Sequence, residues 1–413
     1  MGAAHRILFV DDEVSILDGL QNLLHKQRHL WHMVFSQSGE AALAELEKAP
    51  FDVIVSDMRM PGMDGATLLT AVKDAYPNVA RIVLSGQAER EAVIKALPVA
   101  HQFLSKPCDG EMLRVVIERA CRLQRLLTDE TIRTAIGKLD ALPSAAATYH
   151  DLTKALANPD VGLTTVAAVV ERDPSMSAKV LQLVNSAYFG LSQRITSVAQ
   201  AMVYLGSDTM KGLVLTSQVF SLAEKRQLPG LSVDALQEHS LMTGRLAKRL
   251  IVNQRVADEA FTAGLLHDIG QIALSVSIPD TYADILRTSR DRPLHEAEQE
   301  RLGVSHAEVG AYLLGVWGLP FIVVEAVAYH HRPSAVEAGD REVLAAVHVA
   351  DTIVEAGCAD GSATSGLDLA FLEASGWAAA VPKAREWSAA AQFIQAPGPT
   401  RTSPGQPSRP RSG

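Results

Sequence analysis

The side chains best placed to do chemistry are Asp11, Asp12, Asp57, Ser85 and Lys106, each of which ends or closely follows a short apolar run. Asp57 closes Val53-Ile-Val-Ser-Asp57, and the Pro/Gly-rich turn Met58-Arg-Met-Pro61-Gly-Met-Asp-Gly65 follows at once. In open α/β sheets ligands sit just outside the carboxyl ends of the strands, so a carboxylate there is presented to a reactant. An isolated aspartate before a turn is ordinarily a helix cap or turn former. The companions of Asp57 argue for more. Asp11-Asp12-Glu13 sets three carboxylates in a row, a repulsion that a cation or a proton must offset. Two or three hard oxygen ligands suit Mg²⁺, which keeps waters and helps neutralise a phosphoryl group. Lys106 supplies a point charge for phosphate, and the Ser85 hydroxyl can bond a phosphoryl oxygen. The chemistry assembled is phosphoryl transfer to the Asp57 carboxylate, giving an aspartyl phosphate.

A second set lies in the latter half of the chain. Leu236, His239, Thr243, Leu246 and Leu250 step at helical spacing and carry His239 on the apolar stripe. Gly264-Leu-Leu-His267-Asp268 ends an apolar helix, and Ser305-His306-Ala-Glu308 forms a capping box at the head of another. His330 and His331 close the helix that Pro320 starts, and Asp351 lies on the stripe of Leu344, Val347 and Val354. One histidine on an apolar face is usually a satisfied core residue. Five histidines and two aspartates are expensive to bury unless they pair or share a metal. Imidazole with carboxylate suits Mn, Fe, Ni or Zn, and two metals are geometrically feasible. Stacked His–Asp hydrogen bonds would also satisfy the groups.

The elements that must position these residues follow from periodicity. Apolar runs at Arg6–Val10, Val34–Ser36, Val53–Asp57, Arg81–Leu84 and Gln102–Ser105 alternate with helical patterns, the first bearing Ile16, Leu20, Leu23 and Leu24. Five alternations predict an α/β doubly wound, five-stranded parallel sheet. Leu113, Val116, Ala120, Leu123 and Leu127 then form a 3-4-3-4 seam, which predicts a continuous helix that transmits a signal or forms a homodimer. From 143 to about 356 nearly everything reads as all-α, with no convincing strand; one helix starts at Asp173-Pro174 and stops at Gly190. The expected organisation is a first domain over 1–124, a helical linker over 125–140, a helical domain over 141–356, a helical extension with Trp377 and Trp387 over 357–394, and a disordered tail over 395–413.

Composition sets bounds. A chain of 413 residues with 47% hydrophobic residues can bury two or three cores. Its net charge of −9 leaves no electrostatic footprint for nucleic acid or an anionic membrane. The start does not read as a signal peptide, no apolar run reaches spanning length, and Cys108, Cys121 and Cys358 are scattered. A cytoplasmic protein with free thiols is expected.

Over about residues 5–124 the chain resembles the receiver domain of two-component response regulators. The resemblance rests on Asp11-Asp12, on Asp57-x-x-Met60-Pro61-x-Met63-Asp64-Gly65, on Ser85-Gly86 and on Phe103-x-x-Lys106-Pro107. It implies Asp57 as phospho-acceptor, a sensor histidine kinase or phosphotransfer protein as donor, and Ser85 with Phe103 as a switch pair. It also implies Asp12, Asp57 and the Met58 carbonyl around Mg²⁺, beside Asp11.

Over about 140–355 the chain resembles the HDOD domain, a relative of the HD-superfamily phosphohydrolases. The matching residues are Asp173 to Gly190, Tyr204-Leu-Gly206, Leu266-His267-Asp268-Ile-Gly270, Ser305-His306-Ala-Glu-Val-Gly310, Trp317-Gly-Leu-Pro320 and His330-His331. The resemblance implies two helical lobes and a bacterial signalling output acting mainly through contacts with an unidentified protein partner. The HD-GYP cyclic-di-GMP phosphodiesterases share a similar metal set, His239, His267, Asp268, His306, His330, His331 and Asp351. This chain departs from them at Gln271, where they carry lysine, and in lacking their Gly-Tyr-Pro segment. The alternative reading is a phosphorylation-gated, metal-dependent phosphohydrolase.

Overall fold

The computed structural model describes residues 5–86, 96, 99–123, 127, 129–139, 142–144, 146–158, 161–185, 194–215, 221–222, 228–289, 292–336, 341–356 and 366–395. The first strands and helices are β1 (His5–Val10), α1 (Val14–Leu23), β2 (Trp31–Ser36), α2 (Gly39–Lys48), β3 (Val53–Asp57), α3 (Gly65–Ala75), β4 (Ala80–Ser85), β5 (Gln102–Ser105) and α4 (Gly110–Leu123). The five strands pair in parallel in the order β2-β1-β3-β4-β5, which is the doubly wound sheet expected from the alternation. Because strand side chains alternate, Ile7 and Phe9 face one core with α1 and α4, while Leu8, Val10, Ile54 and Val83 face the other with α2 and α3. The expected helix between Ser85 and Gln102 falls largely outside the described residues.

The linker does not continue α4. After Leu123 the next helix, α5 (Glu130–Gly137), starts afresh, with the Asp129 carboxylate accepting from Ile132 N–H at 2.9 Å. A carboxylate cap at that point begins a new helix. The seam residues Leu113, Val116, Ala120, Leu123 and Leu127 are all buried within this chain, so they are not free to zip against a second copy. Leu23, one of the residues that mark the helical pattern of α1, is 48% exposed.

The second half comprises α6 (Ala146–Ala157), α7 (Leu163–Val170), α8 (Pro174–Val184), α9 (Val198–Leu215), α10 (Val233–Leu250), α11 (Gln254–Leu266), α12 (Ile269–Ser277), α13 (Pro279–Thr288), α14 (Leu294–Leu302), α15 (His306–Val316), α16 (Phe321–Tyr329) and α17 (Glu342–Ala356). Asp173 caps α8 with Pro174 in its first turn, as the Asp-Pro signal predicts; the stop at Gly190 lies outside the described residues. One expectation fails locally. Pro143–Ser144 (β6) and Ser221–Leu222 (β7) pair as a two-residue parallel ladder, too short to register as a strand pattern. The extension forms α18 (Leu369–Ala374) and α19 (Ala380–Gln395). The tail beyond Gln395 lies outside the described residues. No helix among the described residues is long and apolar enough to cross a membrane.

The two halves share a buried boundary. One apolar core runs from Val72, Val83 and Phe103 through Leu123, Leu127, Ile132 and Ile136 into the helical domain. At its edge Arg81 is 1% exposed. Its guanidinium donates to the carbonyls of Val99 (2.6 Å), Val79 (3.1 Å), Pro77 (3.2 Å) and Gly137 (3.2 Å). A buried cation is tolerated only when its donors are satisfied, and these bonds tie α5 to the sheet.

Candidate phosphorylation site and histidine–carboxylate centre

Asp57 ends β3, and its neighbours on the rim come from β1 and from the residue after β5. Lys106 Nζ lies 2.7 Å from Asp11 Oδ2 and also pairs with Asp57 Oδ1. Asp57 Oδ2 accepts from Arg59 N–H at 2.7 Å, and Asp11 Oδ1 accepts from Glu13 N–H at 3.0 Å. Burial pushes the Asp57 carboxyl up, with Lys106 opposing it. Burial likewise works against the Lys106 ammonium, but Asp11 and Asp57 outweigh it and raise its pKa. Asp12 is exposed at the same rim, and Ser85 is buried with its hydroxyl donating to the Gly86 carbonyl at 3.2 Å. Phe103 is buried in the core shared by the two halves.

Three carboxylates against one lysine leave a net negative, hard-oxygen donor set, which fits Mg²⁺. The Met58 carbonyl already accepts from Gly65 N–H at 3.0 Å; its second lone pair remains for a cation. Gly65 is required here, because a Cβ would lie 2.2 Å from the Asp57 carbonyl oxygen.

The second set converges from six helices, α10, α11, α12, α15, α16 and α17. Two glycine pairs make the convergence close: a Cβ on Gly264 would lie 2.8 Å from Gly244 Cα, and one on Gly270 would lie 2.8 Å from Gly310 N. These draw α10 against α11 and α12 against α15. His239 Nε2 then sits 3.1 Å from Asp351 Oδ1 and 3.2 Å from His267 Nε2. His267 Nε2 is 3.2 Å from Asp351 and 3.4 Å from Asp268. His306 Nε2 is 3.1 Å from Asp268 and 3.0 Å from His331 Nε2. Three overlapping trios have ligand atoms mutually within 4.8 Å: His239/His267/Asp268, His267/His330/Asp351 and His306/His330/His331. All seven residues singled out in the sequence therefore meet. His239, expected on a buried face, is half-buried at the mouth, with its side chain 23% exposed.

The outer partners preset the rings. His267 Nδ1 bonds the Gly264 carbonyl and His330 Nδ1 the Val327 carbonyl, both at 2.7 Å. Each Nδ1 thus carries a proton and turns Nε2 inward. His330 Nε2 is buried with no hydrogen-bond partner. An orphaned imidazole lone pair aimed into carboxylates and other imidazoles is the donor a transition metal takes. The set fits Mn, Fe, Ni or Zn.

The electrostatics agree. Burial disfavours the His267 and His306 imidazoliums, yet Asp268 and Asp351 hold His267 well above the usual range, and Glu298 with Asp268 hold His306 up at about 10. Burial, followed by the charge on His267, pushes His330 down to about 3. Burial opposes ionisation of Asp268 and Asp351, but His267 most of all keeps both well below the carboxylate range. Protons on Nε2 of His267 and His306 thus stand where metal would bind.

Glu298 was missed in the sequence. It is fully buried, accepts from Tyr282 Oη at 2.6 Å and from His306 Nδ1 at 2.6 Å. Its run, His295-Glu-Ala-Glu298-Gln-Glu, is polar but for Ala297 and offers no apolar stripe to flag it. His348 was missed too: its Nδ1 bonds the His330 carbonyl at 2.7 Å, and its Nε2 accepts from Asp368 N–H at 2.9 Å. A cavity of about 770 Å³ opens over the cluster; His239, Asp268, His306, His331 and Asp351 line it, with Gln271, Arg292 and His295.

An acidic rim with its lysine on a doubly wound sheet, joined to a helical bundle built round histidine and aspartate, is the arrangement of a response regulator receiver followed by an HD-related domain. Comparison bears this out: the chain carries a response regulator receiver domain, matched over residues 7–118, and an HDOD domain, matched over 142–333. The transcriptional regulatory protein ZraR of Escherichia coli O157:H7 is 27% identical over 194 residues, 44% of this chain and 44% of ZraR. An uncharacterized protein of Treponema pallidum is 27% identical over 231 residues, 54% of this chain and 44% of that protein. The chain thus spans under half the length of these relatives. Among solved structures, the MmoQ response regulator of Methylococcus capsulatus is 24% identical, covering 55% of this chain and 92% of MmoQ, with a TM-score of 0.47. The receiver domain of an HD domain-containing protein from Pseudomonas fluorescens is 31% identical, covering 30% of this chain and 98% of that domain, with a TM-score of 0.28.

Proposed function

We propose that Asp57 accepts a phosphoryl group from a sensor histidine kinase or phosphotransfer protein, and that the HDOD domain passes the resulting state to a protein partner in the cytoplasm. The observation that carries this reading is Lys106, whose ammonium is held by both Asp11 and Asp57 at the carboxyl rim of the sheet. An Asp57 oxygen attacks phosphorus as the bond to the donor's nitrogen breaks, and Lys106 is placed to meet the charge on the phosphoryl oxygens. Mg²⁺, held by Asp11, Asp12, Asp57 and the Met58 carbonyl, would neutralise more of it. Labelling by a small phosphodonor tests the assignment. Wild type should take one phosphoryl group, and Asp57→Asn none.

A second reading is supported by the cluster and its cavity: a metal-dependent phosphohydrolase gated by phosphorylation. The residues that would hold metal are His239, His267, Asp268, His306, His330, His331 and Asp351, and the metal would supply a Lewis acid for a phosphoester oxygen. Glu298 would keep the His306 ring oriented, and His267 and His330 would keep Nε2 inward through their backbone bonds. Gln271 lies on the cavity wall without the charge that a developing phosphodiester transition state needs. The expectation is therefore metal binding with little cyclic-di-GMP turnover. Metal content and hydrolysis measured on one preparation, with His267→Ala and Asp268→Ala beside it, decide the matter. Enzyme-like turnover lost in both variants would install the hydrolase reading.

A further inference from the structure

The helices that carry three of the cluster's histidines also carry the receiver contact. Helix α15 begins at His306 and ends at Val316; α16 begins at Phe321 and hands over to His330 and His331. The open end of this helical hairpin is one of the ligand trios, His306/His330/His331. Its closed end, residues 315–320, lies against the receiver. Gly315 packs on Leu123 so tightly that a Cβ would lie 2.6 Å from that side chain, and a Cβ on Gly318 would lie 3.3 Å from the Gln102 amide carbon. Arg119, on α4, donates to the Leu319 carbonyl. From the helical domain itself, Arg194 donates to the Gly318 carbonyl at 3.3 Å, and Lys179 lies 4.9 Å above the Trp317 ring.

The receiver side of this contact leads straight to the phosphorylation rim. Gln102 opens β5 and Lys106 follows its end, so one short strand, about 13 Å over four steps, joins the loop contact to the residue that holds Asp57. Helix α15 then spans about 16 Å at 1.5 Å per residue. Both are regular hydrogen-bonded elements, and both ends of each are anchored by side chains. Packed elements of this kind shift as bodies rather than deform continuously.

We infer that the α15–α16 hairpin is a lever, through which the state of Asp57 sets how His306, His330 and His331 present to the rest of the cluster. Displacement of Lys106 toward a phosphoryl group pulls on β5; Gln102, Leu123 and Arg119 pass the change to 315–320; the far end moves the trio relative to Asp268, His267 and Asp351. The consequence is thermodynamic coupling. Phosphorylation changes metal affinity at the cluster, and metal changes the phosphorylation equilibrium by the same factor. Arg119 and Gln102 act as positioning residues, touching neither phosphate nor metal. The inference rests on the proposed roles of Asp57 and of the cluster.

The test uses the full chain with Mg²⁺ at saturation, with and without beryllofluoride as the phosphoryl mimic. Amide hydrogen exchange is followed over 306–316 and 321–331, and Mn²⁺ affinity is titrated in parallel, with Asp268→Asn marking the cluster's share. The mimic should change exchange in both helices and shift the Mn²⁺ affinity about fivefold or more, the lower range of measured couplings. Asp57→Asn should abolish both changes. Arg119→Met should shrink both while leaving phosphodonor labelling of Asp57 intact, and Arg249→Met, remote from the contact, should leave both whole. Identical exchange in the hairpin with and without the mimic overturns the lever. Mn²⁺ failing to bind in either state refutes the metal reading of the cluster instead, and the exchange result then decides the lever by itself.

Discussion

A single oxygen of Glu298 holds His306 twice, accepting from its ring Nδ1 at 2.6 Å and from its backbone N–H at 2.8 Å. The ring is thereby fixed in direction and tautomer before any metal arrives, and the carboxylate also makes His306 a stronger base. The arrangement ties the head of α15 to α14, and the Tyr282 hydroxyl, on α13, completes it.

Replacing Glu298 by glutamine keeps the shape and removes the charge. Transition-metal affinity at the cluster should fall about 10- to 100-fold, the range found when such outer carboxylates are lost. Phosphodonor labelling of Asp57 should be unaffected. Calorimetric metal titration of Glu298→Gln beside wild type gives the comparison; equal affinities would mean that Glu298 is only a buried structural acid.

Much of this was open to reading from the chain, and the exceptions have physical causes. Strands end where apolar runs meet Asp57, Ser85 and Lys106, so the rim was visible from spacing alone. His267-Asp268 and His330-His331 stood out because polar pairs close apolar helices. Periodicity showed the apolar face of Leu113 to Leu127, but not what it faces; Asp129 caps a separate helix after it, and the face is buried within the chain. Glu298 and Arg81 were hidden for another reason. A buried charge looks like a surface charge in sequence, and its partners lie far along the chain, as Gly137 does from Arg81. The close glycine pairs, Gly244 with Gly264 and Gly270 with Gly310, exist only in three dimensions.

The cluster's protons give the metal-free protein a definite pH profile. A group whose folded pKa is raised contributes stability below its unfolded pKa, about 6.5 for histidine, and loses it as pH rises through the folded value, about 10 for His306. Asp268 and Asp351, depressed, contribute above their unfolded value of 3.8 and lose it on acidification. The Tm of the chelated protein should therefore fall between about pH 6.5 and 10, read as the difference from His306→Asn, which lacks the effect. Loading with Zn²⁺ should flatten that fall, since metal replaces the Nε2 protons. A His306→Asn profile parallel to wild type would refute the assignment.

Arg81 is a geometric clamp more than a charge. Its guanidinium reaches four carbonyls and the His101 ring at 2.7 Å, a fan that an ammonium cannot reproduce. Arg81→Lys should destabilise the protein about as much as Arg81→Met, by ~2 kcal/mol or more, because several buried acceptors lose their donor in either case. Urea unfolding measures it. Full stability in the lysine variant would show that charge alone suffices at this boundary.

Lys106 offers the sharpest separation of roles at the proposed phosphorylation site. Its ammonium is the counter-charge that lets Asp11, 1% exposed, and Asp57 sit side by side. With Lys106→Ala the two carboxylates face each other with no cation between them, which should cost about 1–3 kcal/mol near neutral pH, less than a fully buried pair because the lysine side chain is 25% exposed. Saturating Mg²⁺ should restore most of that loss, since a divalent cation serves the same carboxylates, and it should restore far less in Lys106→Ala/Asp57→Asn, which lacks one of them. Mg²⁺ binding by Lys106→Ala should be retained, because in the proposed transfer a cationic lysine meets the phosphoryl group and cannot ligate the metal. Labelling by a small phosphodonor should slow, and the phosphorylated variant should fail to alter hydrogen exchange in the helical domain. Urea midpoints with and without Mg²⁺, set beside the labelling rate, read all three effects. A variant that labels at the wild-type rate and still changes exchange in the helical domain would remove Lys106 from the mechanism and leave it as an ordinary ion-pair partner.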